Sequence, residues 1–562
     1  MEENIRLELN DWLFNAGIVG LRNILAHSGD KFKLDAQGLE FNISSLEKFE
    51  EKYINYYIDT YESTLSWNKI VSYEDVINHH ENTDFKLFNK ADLEKLNDYV
   101  QKTLKYYLKS KSYEAAYNLI ENDLNVEKLA KSIKKVKLKK KEKIQDKIQA
   151  VKDIYRTIRT IINYCKEVES KKYLAGKNVI YTIIKNGWNG VCFLNPQTKE
   201  KDMYIDYRNY FVEPVQEYIN SEEKNLNYNC FVCDRQMNNM NNNLSFLNSI
   251  GFDVSRKSSH VWNFNNDVAV CPICKLIYSC VPAGFTYIHG KGIYVNDNQS
   301  VDRAITVNNK IKSEIIKDYK QNRVNTYKAL VNTFKEQIND NYKYELSDIQ
   351  VIRYENINDK DIYRFNILSK KVLQVISNSK DDLDSIVKAG FKEVKSYFYI
   401  YELVVDRIFN NQNLFTLIHR LIGYKLSIPM DCRFSSKQII RILNINYKFL
   451  EVMGYMENTN KDIIKKANIS GYYLREQYKS KMAKDKLSGI SYRLLNALKT
   501  NNKDMFMDTL LNSYLYAQKT VPQVFIEALQ DDEIFKTIGY AFVTGLIEGK
   551  ENNKNRGNSD DK

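Results

Sequence analysis

The chain has 562 residues, 43% of them hydrophobic and 27% charged, enough core for about three to five domain-sized units, which excludes global disorder. Its 20 glycines and 6 prolines exclude collagen-like and proline-rich scaffolds and disfavour a turn-dense all-β protein. Lys and Arg number 83 against 71 Asp and Glu, a net charge of +12, which favours a polyanionic partner, although solubility alone would also account for it.

In chain order, residues 6–27 read as an amphipathic helix in which Gly17 and Gly20 permit close backbone approach. Alternation over Lys31–Ile43 predicts a hairpin turning at Asp35-Ala36-Gln37-Gly38. Helical spacing returns in Leu46–Thr64 and Ala91–Glu121. Residues 125–165 then form one long helical candidate with no Pro or Gly in it, its seam carried by Ile144, Ile148, Tyr155, Ile158 and Ile162. Residues 173–215 are mixed, with loop signals at Asn186–Gly190 and Asn195-Pro196. A cysteine-bearing region spans 228–290 and includes the Asn/Met cluster Met237–Asn243. Ile349–Tyr354 and Ile362–Leu368 read as strands around Asn358-Asp359-Lys360. From Asp382 the pattern is almost wholly helical, interrupted at Ile428-Pro429-Met430, and residues 549–562 lack apolar side chains and read as a disordered tail.

The expected fold is therefore mainly α with α/β parts (α+β). An N-terminal mixed α/β domain over 1–380 holds a central zinc-finger-like module at about 228–290. A C-terminal helical bundle covers 381–548. The acidic start Met1-Glu2-Glu3-Asn4 is unlike a secretory leader, and no span reaches about 20 uncharged apolar residues. With sparse cysteines as well, a cytoplasmic protein without a membrane partner is expected.

Cys230-Phe-Val-Cys233 and Cys271-Pro-Ile-Cys274 are two C-x2-C turns separated by 37 residues. Each turn can aim two thiolates at one ion, and two turns complete a tetrahedron, so Cys230, Cys233, Cys271 and Cys274 are the metal-ligand candidates and structural zinc the expected metal. Four thiolates leave no open coordination position. The alternatives are redox dithiols or four core cysteines, and His260 is a minor candidate for replacing one ligand. Cys280 is expected in the core nearby, and Cys165, Cys192 and Cys432 as buried small hydrophobes.

Two basic regions are candidate nucleic-acid surfaces. Lys131–Lys143 holds eight lysines and one glutamate, and Lys131, Lys135, Lys139 and Lys143 would share a helix face with Lys134 beside them. A solvated helix face explains the run equally well. In the second region, Lys465, Lys466, Arg475, Lys479, Lys481 and Arg493 alternate with tyrosines, a pattern that suits a groove tracking single strands, or else a bundle with tyrosines in its seam. Catalytic motifs are missing: Gly284–Gly292 fails the phosphate-loop spacing, the histidines are scattered, and His79-His80 reads as surface. A non-catalytic protein is expected. A stand-alone zinc-containing nuclease and a zinc-containing interaction scaffold without nucleic-acid contact are the competing readings.

Several segments together resemble a known family: Trp12-Leu-Phe-Asn-Ala-Gly-Ile-Val-Gly20, the two cysteine pairs, Gly489-Ile-Ser-Tyr-Arg-Leu-Leu-Asn-Ala-Leu-Lys499 and Gly539-Tyr-Ala-Phe-Val-Thr-Gly545. In their order along the chain they resemble the large subunit of a type I-B CRISPR Cascade complex of the Cst subtype. The resemblance implies an RNA-guided surveillance assembly of CRISPR RNA, target DNA, and backbone and guide-processing subunits. In it the large subunit reads the short flanking motif (the PAM), helps unwind the duplex, holds the displaced strand and supports recruitment of a separate nuclease-helicase. It also implies a small subunit resembling the C-terminal bundle, with Met430, Met453 and Met456 as candidate internal starts. For the PAM-reading loops, Asn186, Asn189 and Lys291 are candidates because they bear amide or basic side chains on glycine-flanked loops.

Overall fold

The computed structural model describes residues 4–138, 142–221, 227–250, 269–288, 290–297, 300–320, 328–333, 349–358, 360–394, 396–456 and 462–547. The fold is α+β: mostly helices, with several small sheets and a zinc-finger-like module around the paired cysteines. The chain divides into two compact units, residues 1–326 with 349–365, and residues 327–348 with 366–562.

The first unit is built around the helix Trp12–Ser28. Asp11 caps it, its Oδ1 accepting from the Leu13 and Phe14 N–H groups at 2.8 and 3.2 Å, and Gly29 ends it at φ 75. The segment before the cap is not helical, as its spacing had suggested. It is strand β1 (Asn4–Glu8), in which Ile5 and Leu7 are buried and Arg6 is not, a period of two that outweighs helical spacing over so short a stretch. β1 pairs antiparallel with β3 (Gly38–Asn42), which pairs with β2 (Phe32–Leu34). The expected hairpin is present, its turn held by Asp35 Oδ1 accepting from Gln37 and Gly38.

The expected helix over 125–165 is broken. Val126–Ser132 and Ile148–Lys166 are helical, whereas residues 133–138 are not and Ile144–Lys147 forms a 3-10 turn. Like charges four residues apart oppose a helix through the lysine run, and tertiary partners hold the chain extended instead. Asn97 Nδ2 donates to the Val136 carbonyl at 2.9 Å, the Val136 N–H donates back to Asn97 Oδ1 at 3.0 Å, and Lys105 donates to the Ile133 carbonyl at 2.7 Å. His80 also departs from the surface reading. It is buried, with Nδ1 2.7 Å from the Tyr155 hydroxyl.

Two short strands, β4 (Tyr228–Asn229) and β5 (Gln236–Met237), form a ribbon of their own. Strands β6 (Thr286–Ile288), β7 (Lys291–Asn296), β8 (Ile349–Ile357) and β9 (Lys360–Leu368) form a sheet in that order, which includes the hairpin expected around Asn358–Lys360. Lys291 opens strand β7, opposite Ile288 and Glu355, and so does not lie on a loop.

In the second unit the expected helices form, but residues 390–399 are strands rather than helix: β10 (Gly390–Glu393) pairs with β11 (Ser396–Tyr399) and with β12 (Cys432–Arg433). Cys432 is consequently half-buried on a two-residue edge strand rather than in a core. The helices Ile463–Ser480 and Asp532–Ile547 cross closely, because a Cβ at Gly471 would lie 2.1 Å from the Phe542 carbonyl oxygen and one at Gly545 2.1 Å from that of Asn468. Only glycine permits that separation.

Candidate metal centre and cationic surfaces

The β4–β5 ribbon presents Cys230 and Cys233 on a tight knuckle. The Cys230 N–H donates to the Arg235 carbonyl at 2.9 Å, the Asp234 N–H donates to the Cys230 carbonyl at 3.0 Å, and the Phe231 N–H ties the knuckle to the Ala269 carbonyl at 3.0 Å. Cys271 caps the helix Pro272–Ser279 in an extended conformation, with Pro272 at the first helical position, and Cys274 follows one turn on. The positive end of a helix dipole favours thiolates there.

That second pair is anchored in the core. Cβ atoms at Gly17 and Gly20 would lie 2.5 Å from the Ile277 carbonyl oxygen and 2.0 Å from the Cys280 carbonyl oxygen, and one at Gly284 2.1 Å from that of Ala16. The Ser279 carbonyl, near the helix end, accepts from the Tyr53 hydroxyl at 2.7 Å and the Trp188 indole at 3.0 Å, which satisfies a group the helix itself leaves unpaired. Cys280 is buried beside them, as expected.

The four sulfur atoms lie within 4.8 Å of one another. Cys233 Sγ and Cys271 Sγ are 3.6 Å apart, close to the edge of about 3.8 Å of a tetrahedron with sulfurs about 2.3 Å from a central zinc. All four cysteines are free of disulfides, and three are fully buried. The Cys271 N–H donates to Cys230 Sγ at 3.2 Å and the Cys274 N–H points at Cys271 Sγ at 3.5 Å, the backbone support that thiolate ligands need. Hydrogen bonds from Cys233, Cys271 and Cys274 hold the Cys230 thiol well below its ordinary range. Cys271 and Cys274, which share protons with Cys230, are pushed up. A second and third negative charge in so small a volume needs a cation to offset it, so this donor set fits a tetrahedral metal ion. His260 and His289 lie outside the described residues.

The fold and the site define an α+β protein with a zinc-finger-like module closed by four cysteines. Residues 223–286, which contain both cysteine pairs, match the family model described as CRISPR-associated protein (Cas_CXXC_CXXC), and the match supports a CRISPR-associated protein. No curated protein and no solved structure matches the chain.

The cationic candidates are distributed differently from a single helix face. Lys131 is paired with Glu127 at 2.5 Å. Lys134 and Lys135 are exposed on the non-helical stretch 133–138, Lys143 is exposed just before the 3-10 turn, and Lys139 lies outside the described residues. In the second unit Lys465, Lys466 and Arg493 are exposed and Arg475 is half-buried, and none of the four has an ion-pair partner among the described residues. Lys479 instead pairs with Glu476 at 2.8 Å, and Lys481 donates to the Tyr516 carbonyl at 2.8 Å.

Asn186 and Asn189 line one cleft of about 750 Å³ in the first unit, together with Lys69, Lys185, Asn356 and Tyr181. Lys291 is not among its lining residues. Asn186 is partly committed to the fold, since its carbonyl accepts from the Tyr363 hydroxyl at 2.7 Å and its Nδ2 donates to the Thr182 carbonyl at 2.8 Å. Lys69, Lys185 and Asn356 come from separate segments, and no spacing in the sequence announces that they meet.

Proposed function

We propose that this chain is the non-catalytic large subunit of a type I-B CRISPR Cascade surveillance complex, with structural zinc at Cys230, Cys233, Cys271 and Cys274. The observation that carries the reading is that the segment matching a CRISPR-associated family is the one whose two cysteine pairs bring four sulfurs together. On this reading the zinc module braces the first unit, and the cleft holding Asn186 and Asn189 faces the edges of the PAM base pairs, where amides can donate and accept. The uncompensated cations of the second unit hold the displaced strand by its phosphates. Pairing with the CRISPR RNA reads the target, and a separate nuclease-helicase cuts it.

Affinity purification of the full chain from its native host, followed by sequencing of the RNA that accompanies it, tests the assignment. Short repeat-derived RNAs together with backbone subunits are expected. A monodisperse chain that ignores co-expressed backbone subunits and guide RNA would overturn the complex, and metal-dependent DNA cleavage by the purified chain alone would overturn the non-catalytic role.

A further inference from the structure

The helix Ile463–Ser480 ends in a Schellman motif. The Met482 N–H donates to the Lys479 carbonyl at 3.1 Å and the Ala483 N–H to the Tyr478 carbonyl at 2.9 Å, with Ala483 and Tyr478 buried as the motif's apolar pair. Met482 occupies the left-handed position, at φ 52, where glycine is the usual occupant because a Cβ is strained there. Its side chain is 96% exposed, so it packs against nothing in the fold. Folding therefore gains nothing from a methionine at this place and would be served better by glycine.

The surroundings of this side chain are cationic. Lys479, Lys481, Lys484 and Lys486 are all exposed around the turn. Lys481 is fixed on the Tyr516 carbonyl at 2.8 Å, and Lys486 lies over the Tyr516 ring at 4.4 Å. Lys484 has no partner among the described residues, and Asp485 is the one acid within the turn itself. Lys479 pairs with Glu476 at 2.8 Å, and an exposed apolar, polarisable side chain on a turn flanked by lysines matches a polyanion that also offers apolar faces.

We propose that this turn is a nucleic-acid contact in which the Met482 side chain lies against the face of an unpaired base while the flanking lysines hold the adjacent phosphates. The proposal rests on the nucleic-acid role given above and adds the element that touches bases. Apolar side chains of this kind stand against or between bases in other nucleic-acid complexes, and a thioether makes favourable contacts with aromatic rings. A bilayer is the poorer occupant, because one methionine buries too little apolar surface to anchor a protein.

The test uses the full chain and a single-stranded DNA oligonucleotide carrying 2-aminopurine, read by fluorescence over a range of salt concentrations. The wild type is expected to bind with steep salt dependence and to change the aminopurine signal. Met482→Gly should bind roughly threefold to tenfold more weakly and lose that change. It should keep the salt slope and melt no lower than the wild type. Lys484→Gln should give the reverse pattern, a shallower slope with the signal intact. If Met482→Gly matches the wild type in affinity and fluorescence, the base contact is overturned. It is equally overturned if Met482 governs binding to phosphatidylserine vesicles while the oligonucleotide signal ignores it. If the wild type shows no salt-dependent binding to the oligonucleotide at all, the nucleic-acid role itself falls, which separates the two failures.

Discussion

Each of the eight cysteines has a chemistry set by its neighbours. Burial pushes the Cys165 thiol up to about 12 and raises those of Cys192 and Cys280, which leaves them unreactive near neutral pH. Cys432 is half-buried on its edge strand, its Sγ 3.4 Å from the Ile428 carbonyl. Alkylation of the native, metal-loaded protein at pH 8, read by mass spectrometry, should therefore modify Cys432 first. Early labelling of Cys230 or Cys271 would mean that no metal holds them. Cys230→Ser or Cys271→Ser should lose bound metal and destabilise the first unit, whereas Cys432→Ser should keep its metal content, as elemental analysis would show. The hydrogen bond shared with Cys230 pushes the Cys233 thiol up, but those with Cys271 and Cys274 outweigh it and draw the thiol down to about 7. Metal binds thiolates and not thiols, so loading releases protons and affinity falls as pH drops through and below that value. A chelator should strip metal faster at pH 6 than at pH 8.

Among the elements, the glycine contacts fix how the cysteine-bearing helix Pro272–Ser279 meets its neighbour. A Cβ at Gly20 would stand 2.0 Å from the Cys280 carbonyl oxygen, a backbone atom that cannot rotate away. Gly20→Ala should cost about 1–3 kcal/mol or more and lower the melting temperature, and weaker metal retention should accompany it because the two backbones must separate. The stretch ahead of the lysine run is held by the Asn97 amide and by Lys105. Asn97→Ala removes two hydrogen bonds to Val136, a loss of about 1–3 kcal/mol, and should speed tryptic cleavage after Lys134 and Lys135 in a timed digest. The hairpin at Lys31–Ile43 and the strands around Asn358 were legible in the sequence because alternation and turn chemistry are local. The break at 133–138 was not, because nothing within that stretch reveals that Asn97 and Lys105 hold it.

Across the whole molecule, the net charge of +12 matters through the cations that lack internal partners. Lys465 and Lys466 are exposed and uncompensated among the described residues, while Lys479 and Lys481 are partly committed to Glu476 and Tyr516. Lys465→Ala with Lys466→Ala should weaken single-stranded DNA binding and flatten the slope of log affinity against log salt by roughly one to two units. Adding Lys479→Ala and Lys481→Ala should flatten it by less per residue. An unchanged slope after all four substitutions would remove this surface from the binding account.

The sequence by itself picked out the four cysteines that converge in the zinc-finger-like module, since two C-x2-C turns state their geometry within four residues each. It also determined the α+β class and the helical character of the C-terminal bundle, through periodicities that each segment carries alone. Tertiary structure decided that no helix runs through residues 133–138, that Gly17 and Gly20 hold the second cysteine pair against the core, and that Met482 stands bare among lysines. These outcomes depend on partners distant in the chain, and a residue's spacing from its near neighbours carries no record of what will pack against it.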